Sequence, residues 1–205
     1  MSSRKLIHTA SIAALAFGVS QVALAQSAPS TAPSAKATTS QSTGTTAGAN
    51  LSRSDRKFVE EAAQGGMAEV ELGKLAEQHA ASDRVKQFGR KMTTDHQKAN
   101  EQLKKIAAAK GINLPADMSS GDRREFDKLQ KKTGADFDRE YMKDMVSDHK
   151  KDMKDFQSAA KSAEDPEIKN FASSTLPTLQ QHLEMAQSTE AATKNEGSTK
   201  TGSAR

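Results

Sequence analysis

Residues 82–111 read SDRVKQFGRKMTTDHQKANEQLKKIAAAKG. Val85, Phe88, Met92, His96, Ala99, Leu103 and Ile106 recur at spacings of three and four. That is the period of one face of an α-helix, not the alternation of a strand. Ser82 and Asp83 stand where an N-cap belongs, and Gly111 is the residue type that stops a helix. The spacing predicts a helix from Asp83 to about Lys110 with one apolar stripe. A single helix cannot bury such a stripe alone, so partners must lie on either side.

They do. Ser54 and Asp55 are cap candidates for a preceding helix to about Ala80, with Val59, Ala62, Gly66, Val70, Gly73 and Ala76 or Glu77 on its stripe. Asp136 is the cap candidate for a third helix to about Ser162, striped by Met142, Met145, His149, Met153, Phe156 and Ala160. Asp165-Pro166 opens a fourth, with Pro in its first turn and a stripe of Ile168, Phe171 or Ala172, Leu176, Leu179, His182 or Leu183, and Ala186. Pro177 inside that pattern predicts a kink or a split. The first two helices and the last two are joined by very short turns and form antiparallel hairpins. Between the hairpins, Gly111 to Ala135 is long and carries a short helix over Ser120 to Lys131. Four long helices with one long middle crossover predict an all-α, ferritin-like four-helix bundle.

The flanks differ in kind. Residues 1–25 have a basic start at Arg4 and Lys5, an apolar stretch to about Val22, and Ala23-Leu24-Ala25 before a cut after Ala25, which is the pattern of a secretory signal peptide. His8, Ser11, Ser20 and Gln21 interrupt the stretch, against a spanning helix. Residues 26–50 are rich in Ser, Thr and Ala and predict a disordered linker; residues 188–205 predict a disordered polar tail. The bundle domain is expected over residues 51–187. A periplasmic or secreted location follows, with no transmembrane segment in the mature chain. The sequence has no Cys, so disulfides cannot help the exported fold. Without residues 1–25 the 30 basic residues fall to 28 against 26 acids, a formal +2. With basic and acidic residues interspersed there is no basic face for nucleic acid, and runs such as GDRREFDKLQKK read as solvated helix faces.

Only five histidines occur. His8 leaves with the leader, and His79 falls at a helix end. His96, His149 and His182 each continue an apolar stripe. Counted from the hairpin turns, Glu69, His96, His149 and His182 fall at one level of the bundle, within ~3–5 Å at ~1.5 Å per residue. Two readings follow. In one, three imidazoles and a carboxylate hold a divalent transition metal, Zn or Cu. In the other, the layer is a buried polar network that fixes register in a structural or envelope-interaction module. Asp95 and Asp148 follow their helices ~100° round from the adjacent His, so they read as outer partners rather than ligands. Met92, Met145 and Met185 lie one turn from a layer histidine and are candidate soft ligands for copper, or core filler. The residues three before the layer histidines are Thr93, Val146 and Leu179. No Glu-x-x-His occurs, which argues against di-iron carboxylate chemistry. Nucleophile-elbow, phosphate-loop and His-Glu-x-x-His signatures are likewise missing from the sequence, so no catalytic residue is assigned.

The segments FVEEAAQGGMAEVELGKLA, VKQFGRKMTTDHQKANEQL, GADFDREYMKDMVSDHKKDMKDF and IKNFASSTLPTLQQHLEMA resemble, in order and spacing, the bacterial domain of unknown function 4142. The resemblance covers about Ser52 to Gln187. It implies a ferritin-like bundle in an exported protein, with motif positions at Glu69, Asp95, His96, Phe137, Asp138, Tyr141, His149 and His182. It implies no established activity and leaves protein or envelope partners unspecified. Members are sometimes labelled outer-membrane proteins, but this sequence lacks the alternating strands of a barrel.

Overall fold

The computed structural model describes residues 51–202, with side-chain surroundings as far as residue 195. The leader and linker expectations, residues 1–50, lie outside the described residues. Five helices follow in order: α1 (Arg53–His79), α2 (Asp83–Ala109), α3 (Ser120–Leu129), α4 (Gly134–Ser162) and α5 (Pro166–Gly202). Helix α1 packs chiefly on α2, and α4 on α5. Helix α2 also meets α5 and α1 meets α4, while α3 touches α1 and α4. Two antiparallel hairpins thus sit side by side, and the crossover lays its short helix across one flank. The fold is the four-helix bundle that the periodicities predict.

Residues set each helix end. Ser52, one turn ahead of the expected cap, accepts from the Asp55 amide at 3.1 Å. Asp55 is freed to reach the other hairpin, where its carboxylate accepts from the amides of Glu164 (3.1 Å) and Asp165 (2.9 Å) in the α4–α5 turn. Asp138, near the start of α4, does the reciprocal job. It accepts from the amides of Ala81 (3.1 Å) and Ser82 (2.9 Å) in the α1–α2 turn. The expected caps at Ser82 and Asp136 give way to this arrangement: Ser82 makes no side-chain cap bond, and α4 begins from Thr133 with Gly134 at φ 65°. Asp165 caps α5 as expected, accepting from the Glu167 and Ile168 amides. At the other end of α2, nearly buried Lys110 binds Asp165 and Glu167, both at 2.6 Å.

Pro177 lies inside a helix that continues on both sides of it, so of the two alternatives expected there the split is corrected. The polar tail is not a break either, since the helix runs on through residues 188–202. Once a packed helix exists, adding residues costs little, and Ala191, Ala192 and the Lys194–Glu190 pair at 2.7 Å suit continuation. Thr189 and Thr193 are buried on this extension.

The core has two parts. Leu72, Phe88, Met92, Phe137, Tyr141, Met142 and Met145 belong to one apolar cluster. Phe58, Leu103, Phe156, Ile168, Phe171 and Leu179 belong to the other. Along α2, α4 and α5 the boundary between the clusters falls at His96, His149 and His182. Among the described residues no helix is long and apolar enough to cross a membrane.

Candidate metal centre

The three layer histidines meet. His96 is 7%, His149 0% and His182 1% exposed. Ring centroids lie 5.4 Å apart for His96–His182 and His149–His182, and 5.9 Å for His96–His149. One ring nitrogen from each lies within 4.8 Å of the other two. A Zn–N bond of about 2.0–2.1 Å sets ligand nitrogens about 3.3 Å apart, so closure needs side-chain shifts on the order of 1 Å.

Hydrogen bonds fix which nitrogens face inward. His149 Nδ1 lies 2.9 Å from the Met145 carbonyl, which can only accept, so Nδ1 carries the proton. His182 Nε2 donates to Asp95 Oδ2 at 2.7 Å. Burial pushes the Asp95 carboxyl up, but bonds from Lys91 and His182 outweigh it and hold it below its ordinary value. His149 Nε2, His182 Nδ1 and His96 Nε2 are left buried without a partner. Burial holds His149 down at about 4, with help from His182. Burial, then His149 and His182, holds His96 well below its ordinary value. Burial also lowers His182, against the pull of Asp95. Neutral imidazoles, each with a buried ring nitrogen that no protein group engages, are the chemical state that binds a metal. Buried polar atoms without a protein partner call for water or an ion.

The remaining expected residues divide. Glu69 lies at the predicted level, yet outside the group of three. Its Oε1 is 3.7 Å from His149 Nδ1, the protonated side of that ring. Glu69 lines the recess beside α3, and among the described residues the group whose ligand atoms gather is His96, His149 and His182. Asp95 pairs with His182 rather than with the neighbouring His96. Asp148 turns toward Glu125 of α3 and away from the imidazoles. Asp138 ties the α1–α2 turn. Tyr141 is fully buried, stacked on Phe137 at 5.3 Å, with its hydroxyl unpartnered. Met92 and Met145 are buried in the first apolar cluster, and Met185 packs against its edge. His79, at the end of α1 as expected, hydrogen-bonds the Lys132 carbonyl at 2.6 Å and so ties α1 to the crossover.

Sequence reading missed Asn100, Gly89 and the inner face of α3. A Cβ on Gly66 would stand 2.0 Å from Asn100 Oδ1, so the glycine admits that side chain beside the layer. Asn100 and Gly65 line a cavity of about 40 Å³ that His96 borders, room for about two or three waters next to the imidazoles. On α3, Asp122, Glu125 and Leu129 follow a helical spacing toward buried Leu129, a signal that the surrounding charges concealed.

The sequence model of one family, described as "Domain of unknown function (DUF4142)", matches residues 40–189. No curated protein matches the chain in sequence. Among solved structures, the crystal structure of a DUF305 fragment from Deinococcus radiodurans is similar, with a TM-score of 0.61 at 12% identity, over 69% of this chain and 98% of that one. At that identity the likeness concerns the helical fold alone. The chain belongs to the DUF4142 family.

Proposed function

On that family membership, which carries no activity, we propose that the protein binds one transition-metal ion of the Zn or Cu class through His96, His149 and His182. The observation that carries this reading is that three buried histidines each leave one ring nitrogen unpartnered and each bring a ring nitrogen within 4.8 Å of the other two. Asp95 and the Met145 carbonyl support it, because outer partners of this kind orient metal-binding imidazoles. Three protein nitrogens leave a further coordination position, which Glu69 reaches only by turning and which water from the neighbouring cavity can fill. The Ala25 cleavage pattern supports an exported protein of the cell envelope, with a metal-holding or stress-related role and no catalytic step assigned.

Calorimetry on the purified, chelator-treated protein tests the reading. One Zn²⁺ or Cu²⁺ per chain is expected, lost in His96→Ala and His149→Ala. Absence of binding at micromolar metal overturns it. The split of the core at the histidine layer favours a second reading, a polar spacer that fixes bundle register. On that reading the same variants lower thermal stability equally with and without metal.

A further inference from the structure

Glu69 is 4% exposed, and its Oε2 has no hydrogen-bond partner. It lines a recess of about 270 Å³ between α1, α3 and α4, together with Asp122, Glu125, Asp148 and Asp152. Three helices must converge to build this group, since Glu69 comes from α1, Glu125 from α3, and Asp148 and Asp152 from one face of α4 at a spacing of four. Glu125 Oε1 is also buried and unpartnered. Among the described residues, no lysine or arginine comes within salt-bridge distance of Glu125, Asp148 or Asp152, although Lys128 and Lys151 act on Glu125 and Asp152 from farther off. Lys151 lines the recess too, but its ammonium is held by Asp155 at 2.7 Å. Asp122 is partly engaged, accepting from the Ser119 amide at 3.3 Å in the cap of α3.

We propose that this recess is a second site, distinct from the imidazole centre, for a hard divalent cation such as Ca²⁺, Mg²⁺ or Mn²⁺, with Glu125, Asp148 and Asp152 around it and Glu69 at its inner wall. Oxygen-only donors select hard cations, whereas the imidazole centre selects softer ones. Carboxylates this close repel one another in a partly dry setting, and either protons or a cation must neutralise them. Protons are the competing occupant: burial pushes Asp152 up to about 6. The carboxylate oxygens are not gathered as tightly as the imidazole nitrogens, so the ion keeps some of its own water, as Mg²⁺ and Mn²⁺ commonly do. The crossover then has a purpose beyond connection, because α3 brings the carboxylate that closes the site over α1 and α4.

Titration of the chelator-treated full chain with Mn²⁺ at pH 8, followed by electron paramagnetic resonance, tests the proposal. The expected result is saturable Mn²⁺ binding displaced by Ca²⁺ and weakened at least about tenfold in the Glu125→Gln/Asp152→Asn double variant. The His96→Ala/His149→Ala variant should bind Mn²⁺ as the parent does, which separates this site from the imidazole centre whether or not that centre binds Zn²⁺. Far-ultraviolet circular dichroism of each variant confirms the helices. No bound Mn²⁺ at millimolar concentration, unchanged affinity in the folded carboxamide variant, or loss of Mn²⁺ only in the histidine variant each overturns it.

Discussion

The ring of His182 is held by Asp95, and that contact decides which of its nitrogens carries the proton and which is left unpartnered. Asp95→Asn can hold the ring but no longer favours the same tautomer with a charge. Outer partners of metal-binding histidines are worth about 10–100-fold in affinity, so calorimetry should show Zn²⁺ binding weakened within that range with the stoichiometry intact. An unchanged affinity would mean that Asp95 does not orient the ring. At this scale the sequence was partly legible. Helical phase put all three histidines inward and at one level, because 3.6-residue periodicity depends on sequence alone. It could not give the partner of each histidine, since Asp95 reaches His182 across 87 positions of chain. Nor could it give the direction of Glu69, which depends on how α1 is rotated against α3 and α4.

Between elements, backbone approach and cross-hairpin caps set the geometry. A Cβ on Gly89 would lie 2.7 Å from the Gly73 carbonyl oxygen, and one on Gly73 2.6 Å from the Gly89 carbonyl oxygen, so α1 and α2 touch backbone to backbone. Gly89→Ala should therefore destabilise: overpacking costs ~1–3 kcal/mol, more than the ~1 kcal/mol gained in helix propensity. Gly65 has nothing within 4 Å of the same position, and Gly65→Ala should raise stability by ~1 kcal/mol. Urea denaturation of the pair checks both signs, and a fall for Gly65→Ala would show that its surroundings are tighter than the helix geometry implies. Of the adjacent pair Gly65-Gly66, only Gly66 makes a close approach, and it does so to Asn100 of the neighbouring helix. The sequence Met-x-x-Asp-His occurs at Met92–His96 and again at Met145–His149, on α2 and α4, the second helix of one hairpin and the first of the other. It is therefore not the register of a hairpin repeat. The reciprocal aspartates Asp55 and Asp138 occupy equivalent places instead.

For the whole molecule, the buried layer and the acidic recess oppose one another in pH. His149, held at about 4 against an ordinary 6.5, stays neutral on folding. The unfolded chain takes up its proton first, so this contribution is lost as pH falls from about 6.5 toward 4. Asp148 at about 8 and Asp152 at about 6 have folded values above their ordinary 3.8. Their contribution is present at low pH and is lost as pH rises from about 4 through 6 and 8. Above 6.5 only the carboxylates act, so the metal-free protein should melt at a lower temperature at pH 8 than at pH 6.5. Thermal scans in chelator measure the fall; Asp148→Asn should flatten it. A melting temperature that rises between those two pH values would contradict the placement of these carboxyls.

The sequence by itself determined the helices, their order, the two hairpins joined by a crossover, and the common level of three histidines. These follow from local periodicity, turn chemistry and chain length between turns, all of which are written along one dimension. Tertiary structure alone decided that Glu69 leaves the imidazole group, that Asp95 serves His182, and that a charged crossover helix turns its acids inward over α4. It also decided that α5 continues past Ser188. The first three depend on the rotation of one helix against another, which side chains far apart in sequence settle by packing; the last follows from extending a helix that packing has already formed.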